Sequence, residues 1–273
     1  MWKLIKMDFY RLFNSKAIKI GAIMSVLLSA GYILLSFGII ALSKIAFNDD
    51  PMMAENLGIF LSQAAWMNGV DLSEIVFSGT TAFSLFIGCM ISASFMGSEL
   101  SCGYTKNYAG QLKNKGYMAV SKFVTTSFVQ TMVLVIYIVV CAIFGSLVLR
   151  QYISGFDAKT LFWALGLRLM LHLAINAIIV FICTFTNSNS IAIVVGCILG
   201  LGVTRVAYTM LALILGTAKI NIDLANYMPD GINGQLTLYT VGELSQRTIV
   251  VSIVFIVAFL MASCYVVRNR DVK

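Results

Sequence analysis

The chain is short of nearly everything a soluble enzyme uses. Of its 273 residues only 11% are charged, 2 are proline and 1 is histidine. A soluble domain carries about 25% charge, so a water-facing surface wrapped around one core is excluded. A single histidine, His172, cannot build a histidine metal cluster. Cys89, Cys141, Cys183, Cys197 and Cys264 fall inside apolar runs and Cys102 falls in a polar gap, with no zinc-ligand spacing among them. Neither a metal site nor a disulfide is expected. No G-x-x-x-x-G-K-[ST], H-E-x-x-H or G-x-S-x-G occurs, which removes P-loop nucleotide binding and two hydrolase chemistries. No two acids share the middle of an apolar run, so intramembrane proteolysis and simple proton antiport lack their usual groups. No catalytic residue is assigned.

Apolar length is what the chain has, with 59% of residues hydrophobic. About six long runs alternate with polar gaps, each near the ~20 residues that cross ~30 Å of hydrocarbon. Spans are expected at 18–42, 76–96, 122–149, 161–186, 190–216 and 247–267. The first run is too long for a signal-peptide core and lacks a small-residue cleavage motif, so it is expected to be retained.

The gaps alternate in sign. Lys3, Lys6, Arg11, Lys16 and Lys19 stand against Asp8 at the N-terminus. Asp49, Asp50, Glu55, Asp71 and Glu74 stand against Lys44 in the next gap. Lys106, Lys113, Lys115 and Lys122 then stand against Glu99. This positive-inside pattern predicts a multi-pass protein of the cell membrane. Both termini are cytoplasmic in this reading, including the tail with Arg268, Arg270 and Lys273. The net charge of +7 then reflects topology and attraction to membrane lipids, and nucleic acid is not an expected partner.

Residues 1–16 read as an amphipathic helix in the inner headgroup layer, with Trp2, Ile5, Phe9, Leu12 and Phe13 on one face. The turn at 186–190 reads as a tight hairpin, and 52–67 as a short helix. The cluster Tyr227-Met228-Pro229-Asp230-Gly231 is a breaker in a stretch apolar enough to re-enter the outer leaflet, provided protein buries it. Small residues recur at four-residue spacing: Gly21, Ser25, Ser29; Ser84, Gly88, Ser92; and Ala192, Gly196, Gly200. Such ladders let helices approach closely, within this chain or against another.

Arg168, His172 and Asn176 are four residues apart and form one stripe on the fourth span. Arg205 sits in the outer half of the fifth, with Tyr208 and Thr209 beside it. Intramembrane ionisable groups are functional candidates. Two readings stand: a pathway or ion-pair role, with Asp230, Glu243 or Glu74 as partner, and snorkelling of a long arginine to the headgroups.

The most specific stretch follows the second span: Gly97-Ser98-Glu99-Leu100-Ser101-Cys102-Gly103-Tyr104-Thr105-Lys106-Asn107-Tyr108, then Gly110 and Leu112. It resembles the membrane subunits of ABC-2-type transporters, which carry a glutamate at the inner end of the second helix, then a glycine and a Thr-Lys-Asn-like run. The Gly103-Tyr104-Thr105 order departs from the commoner Gly-Thr pair. Size and style are similar to the small permeases of bacteriocin-immunity and peptide-export systems. The fold expected is all-α, with six transmembrane helices, a cytoplasmic amphipathic N-terminal helix and a coupling helix between helices two and three. The resemblance implies that Glu99, Gly103, Tyr104, Thr105, Lys106, Asn107, Tyr108 and Leu112 couple the chain to a separate ABC ATPase subunit. It implies a second permease subunit, identical or related. It implies no cofactor on this chain, since ATP and Mg would sit in the ATPase partner. The function implied is that of a permease exporting a peptide, a bacteriocin or a lipophilic compound. The alternative class is a membrane immunity or scaffold protein that binds a peptide without ATP.

The topology is testable. A cysteine replacing Asn114 is expected to escape an impermeant thiol reagent in intact cells and to react after permeabilisation. Labelling in intact cells would reverse the orientation.

Overall fold

The computed structural model describes residues 1–49, 70–101, 115–150, 153–186, 188–217 and 224–269. The short helix expected at 52–67 and the coupling segment 103–112 lie outside the described residues. The elements are α1 (Trp2–Asn14), α2 (Lys16–Asp49), α3 (Leu72–Ala82), α4 (Ser84–Ser101), α5 (Gly116–Val148) and α6 (Ala158–Thr186). Then come α7 (Asn189–Gly200), α8 (Thr204–Thr217), a 3-10 turn at Leu224–Tyr227, α9 (Pro229–Gln235) and α10 (Val241–Asn269). One short parallel backbone contact joins β1 (Val70–Asp71) to β2 (Ile153–Gly155).

Among the described residues, five stretches are long and apolar enough to cross a membrane: Lys16–Gly38, Leu72–Ser98, Gly116–Val148, Ala158–Thr186 and Val241–Asn269. A bent pair, Ser190–Gly200 with Thr204–Ala212, makes a sixth if counted as one span. By length and composition the chain is a multi-pass membrane protein. Its burial pattern agrees with lipid as the solvent. Leucines and isoleucines such as Leu35, Leu147 and Ile214 point outward, while Ser25, Ser92, Thr126 and Gln130 are buried. An apolar exterior of that extent would drive association in water.

The run expected to be one straight span over 190–216 is broken and bends by 63°. The cause is Gly202, which adopts φ +69°, a conformation that costs a residue with a Cβ about 1 kcal/mol or more. Around it the α7 terminus closes as a Schellman motif: Val203 N donates to Ile198 O at 3.1 Å and Gly202 N to Leu199 O at 3.2 Å. Gly200, one of the ladder residues, has a different task. A Cβ there would sit 2.6 Å from Phe86 Cα, so its absence lets α7 lie directly on α4. The ladders therefore pack α7 on α4, α4 on Gln130 of α5, and α2 on Ile91 of α4. All three seat helices within the chain.

Helix starts follow local chemistry. Asp157 caps α6: its Oδ1 accepts from Thr160 N at 3.2 Å and its Oδ2 from Thr160 Oγ1 at 2.6 Å. These bonds to the charged form hold its carboxyl below the usual range. The cap's contribution is present above the ordinary carboxylate pKa and is lost as pH falls through the depressed value. Ser188 caps α7 across the tight turn, accepting from Ile191 N.

The N-terminal helix is held by a contact its sequence pattern did not announce. Of the apolar face expected through Trp2, Ile5, Phe9, Leu12 and Phe13, Ile5 and Leu12 are buried, together with Leu4 and Asp8. Trp2 is 77% exposed and Phe13 is 52% exposed. Asp8 lies on this buried face. Its carboxylate, 1% exposed, accepts from Lys122 Nζ at 2.7 Å and from Ser121 Oγ at 2.5 Å, both on α5. Phe9 and Phe13 flank the pair against Phe128, with ring centroids at 5.2 and 5.7 Å.

Removing one partner of a buried pair strands the other charge and costs about 3–5 kcal/mol. Asp8→Ala is expected to lower the unfolding free energy of the purified chain by that order. Asp8→Ala combined with Lys122→Met should recover most of it. Equal losses in the single and double variants would show that the pair does not anchor α1.

Candidate functional site: a buried polar seam

Two polar stripes face each other at the centre of the bundle. On α5, Lys122, Thr126 and Gln130 recur every four residues, and on α6, Arg168, His172 and Asn176 do the same. All six are buried, with none more than 5% exposed. They meet where Asn176 Nδ2 donates to Thr126 Oγ1 at 2.9 Å and to Ser127 Oγ at 3.3 Å. A third helix contributes Thr248 and Ser252 of α10, both fully buried. Near the start of α6, Leu161 shares a cluster with Val241 at the start of α10. Near its end, Phe181 meets Phe259 at 5.4 Å. The two helices thus run parallel, which places Thr248 and Ser252 at the height of His172.

Arg168 closes one end of the seam. Its guanidinium is fully buried, and its Nη1 donates to Phe77 O at 2.5 Å and to Thr80 Oγ1 at 2.6 Å. Its Nη2 donates to Leu236 O at 3.1 Å, and the planar group lies 3.6 Å from the Phe77 ring centroid. Arg168 therefore does not snorkel. The expected acid partners are also set aside. Asp230 accepts from Thr204 Oγ1 and, at 3.1 Å, from the Tyr208 hydroxyl. Glu74 accepts from the Tyr239 hydroxyl at 3.0 Å, a bond that raises the tyrosine's pKa. The arginine's counter-charge is made of carbonyl dipoles, a geometry the planar fork suits and an ammonium does not.

Those bonds hold the segment around α9 against the bundle. Pro229, Asp230, Gly231, Ile232 and Asn233 of α9 are buried. Asp230 fastens the start of α9 to α8, just beyond the Gly202 break. Arg168 fastens Leu236, just after α9, to α3 and α6. Arg205, half-buried, lies against Gly202 and Gly234, where no Cβ intervenes. It makes no ion pair with Asp230 or Glu243 among the described residues, and its Nε is buried without a partner.

Among the described residues, several buried groups of the seam have no protein partner: His172 Nδ1 and Nε2, Arg168 Nε, Asn176 Oδ1, Gln130 Oε1, Thr248 Oγ1 and Ser252 Oγ. A neutral imidazole needs one acceptor and one donor. Each unmet buried group costs about 1–3 kcal/mol, so the seam is a place where water or a polar guest is favoured over hydrocarbon. No group of three or more His, Cys, Asp or Glu able to hold a metal occurs among the described residues.

Sequence reasoning marked the α6 stripe and Arg205. It missed the α5 stripe, Thr248 with Ser252, and Asp8. The four-residue spacing of Lys122, Thr126 and Gln130 was a readable signal, identical in period to the one on α6. Of the coupling residues, Glu99 falls within α4 near its end, and Gly103, Tyr104, Thr105, Lys106, Asn107, Tyr108 and Leu112 lie outside the described residues. No protein-family model matches this chain, and no curated protein matches it.

Arg168 supplies a test of the seam's closed end. A hydrogen bond to a charged group contributes about 1.5–3 kcal/mol. Arg168→Lys, which cannot reach Phe77 O and Leu236 O together in one plane, is expected to raise amide hydrogen exchange across 224–240 by about tenfold or more. Arg168→Leu should raise it further while still inserting. Unchanged exchange in both variants would show that Arg168 does not hold α9.

Proposed function

We propose that the chain is the permease subunit of an ATP-binding-cassette transporter, working as an exporter of a peptide, a bacteriocin or a lipophilic compound. The observation that carries this reading is the run from Glu99 through Gly103-Tyr104-Thr105-Lys106-Asn107, with its resemblance to the ATPase-docking segment of ABC-2-type permeases. The multi-pass bundle and the buried breaker segment before the last helix support it. In this reading both termini and the docking segment face the cytoplasm, and α1 lies along the inner headgroup layer. Hydrolysis belongs to a partner ATPase that holds ATP and Mg, and a second permease subunit completes the pathway.

The proposed mechanism is mechanical. ATP binding closes the ATPase dimer and displaces the docking segment. That segment lies between the end of α4 at Ser101 and the start of α5 at Gly116, so its motion is delivered to those helices first. α1 travels with α5 through the Asp8–Lys122 pair. α5 carries one side of the polar seam and α6 the other, so sliding of α5 against α6 re-pairs the groups now without partners. Glu99 sits at the end of α4, at the entry to the docking segment. Tyr104 and Tyr108 supply the aromatic anchors that dominate such interfaces, Lys106, Asn107 and Thr105 the polar contacts, and Leu112 an apolar one.

Affinity purification of the tagged chain is expected to bring down a protein with a P-loop. Tyr104→Ala with Tyr108→Ala should cost at least about 2 kcal/mol of that binding, roughly thirtyfold in affinity. Purification without any ATPase would leave the ATP-independent immunity or scaffold role in its place.

A further inference from the structure

The centre of the polar seam lies at the centre of its helix. His172 is the middle residue of the 29-residue α6, about 21 Å from either end at 1.5 Å per residue. Helix geometry says what faces it. α5 and α6 run antiparallel: Leu149, just past the end of α5, shares a cluster with Leu161 near the start of α6. At the other end Phe123 of α5 packs against the cluster holding Ile179 and Cys183 of α6. Asn176 bonds both Thr126 and Ser127, so the line from α5 to α6 passes between those two residues. Gln130 lies about 40° from Thr126 and about 60° from Ser127 around the axis, hence on the same line and one turn on. One turn on along α5 is one turn back along α6 from Asn176, which is His172.

A third helix closes the junction. The Gln130 amide takes the space that a Cβ on Gly88 of α4 would need, and its Nε2 reaches the Cys89 thiol at 3.9 Å. Cys89 shares a cluster with Ile175 and Ile179, so α4 packs on α6 beside His172. Gln130, His172 and Asn176 are fully buried. Each keeps an unmet group: Gln130 Oε1, Asn176 Oδ1 and both imidazole nitrogens. The signs of these groups identify an occupant. The two amide oxygens need donors. A neutral imidazole needs an acceptor for its N–H and a donor for its other nitrogen. For that other nitrogen, Arg168 Nε is an unmet donor one turn along the stripe. The Arg168 guanidinium disfavours a cation, and two amide oxygens disfavour an anion. Water donates twice and accepts once, the set of about three bonds usual for a buried water. It is also the smallest guest able to meet all three side chains.

We propose that the junction of α4, α5 and α6 is a binding site for one internal water, which accepts from the His172 imidazole and donates to Gln130 Oε1 and Asn176 Oδ1. The water joins three side chains that share no direct hydrogen bond with one another among the described residues. The site does not depend on ATP coupling.

His172 is the single histidine of the chain, so the full chain made with isotope-labelled histidine and no histidine tag gives one imidazole signal. The readout, by nuclear magnetic resonance in detergent micelles, is Overhauser transfer from water to the carbon-bound ring protons, which do not exchange with solvent. The unaltered chain is expected to show this transfer, together with a hydrogen-bonded ring N–H. Gln130→Met keeps the length of the side chain and removes one acceptor, so it should cut the transfer about fivefold. Absence of transfer in the unaltered chain would overturn the proposal. Undiminished transfer in Gln130→Met would also overturn it, by placing the water elsewhere. So would a scalar coupling across a direct hydrogen bond between the ring N–H and the Gln130 amide, which would leave no room for a bridge.

Discussion

A guanidinium without a carboxylate organises one half of this molecule. Arg168 is fully buried and is answered by carbonyl oxygens of Phe77 and Leu236 and by the Thr80 hydroxyl. A charge placed toward the centre of a membrane costs about 2.5–3.5 kcal/mol on insertion scales, and only well-directed dipoles can offset that. Those dipoles come from two places in the chain: the body of α3 and the backbone leaving α9. Neither is free to drift without exposing the charge. One side chain thereby ties α3 to the backbone that leads from α9 into α10.

The same logic extends along α6 at lower strength. Asn176 finds hydroxyls on α5, whereas His172, between Arg168 and Asn176, finds nothing among the described residues. The seam is partly met at Arg168 and Asn176 and wholly unmet at His172 between them. Polar groups left unmet in a low-dielectric interior are where two arrangements of similar energy are easiest to build, because either can supply the missing partners. The Gly202 break and the half-buried Arg205 stand just outside this region, so the least regular backbone and the least satisfied side chains are neighbours.

The membrane class and the helical spans were legible because they rest on sums over many residues, which single errors do not disturb. The α6 stripe was legible because Arg168, His172 and Asn176 are conspicuous in an apolar run. The bend at Gly202 was not, because a glycine in an apolar run has the same appearance whether it seats a helix or ends one. Gly200 does the first and Gly202 the second, two residues apart. The partner of Arg168 could not be found by looking for acids, because backbone carbonyls carry no signature in sequence. Asp8 was misread for a related reason: one acid among five bases looks like a minor term in a charge count. Its meaning depends on Lys122, which periodicity within α1 cannot reveal.

That pairing has a bearing on how the chain is made. Asp8 and Lys122 are separated by 114 positions. At about 5–20 residues per second of synthesis, Asp8 waits on the order of ten seconds before its partner has even been joined to the chain. During that interval the carboxylate must stay in water, so α1 cannot take its final seat, whatever its apolar residues favour. Completion of α5 is therefore the event that permits α1 to dock. The first helix to be synthesised is thus fixed only after α2–α4 and the start of α5 have been made, and its closure reports that the early half of the bundle has been threaded in the correct order.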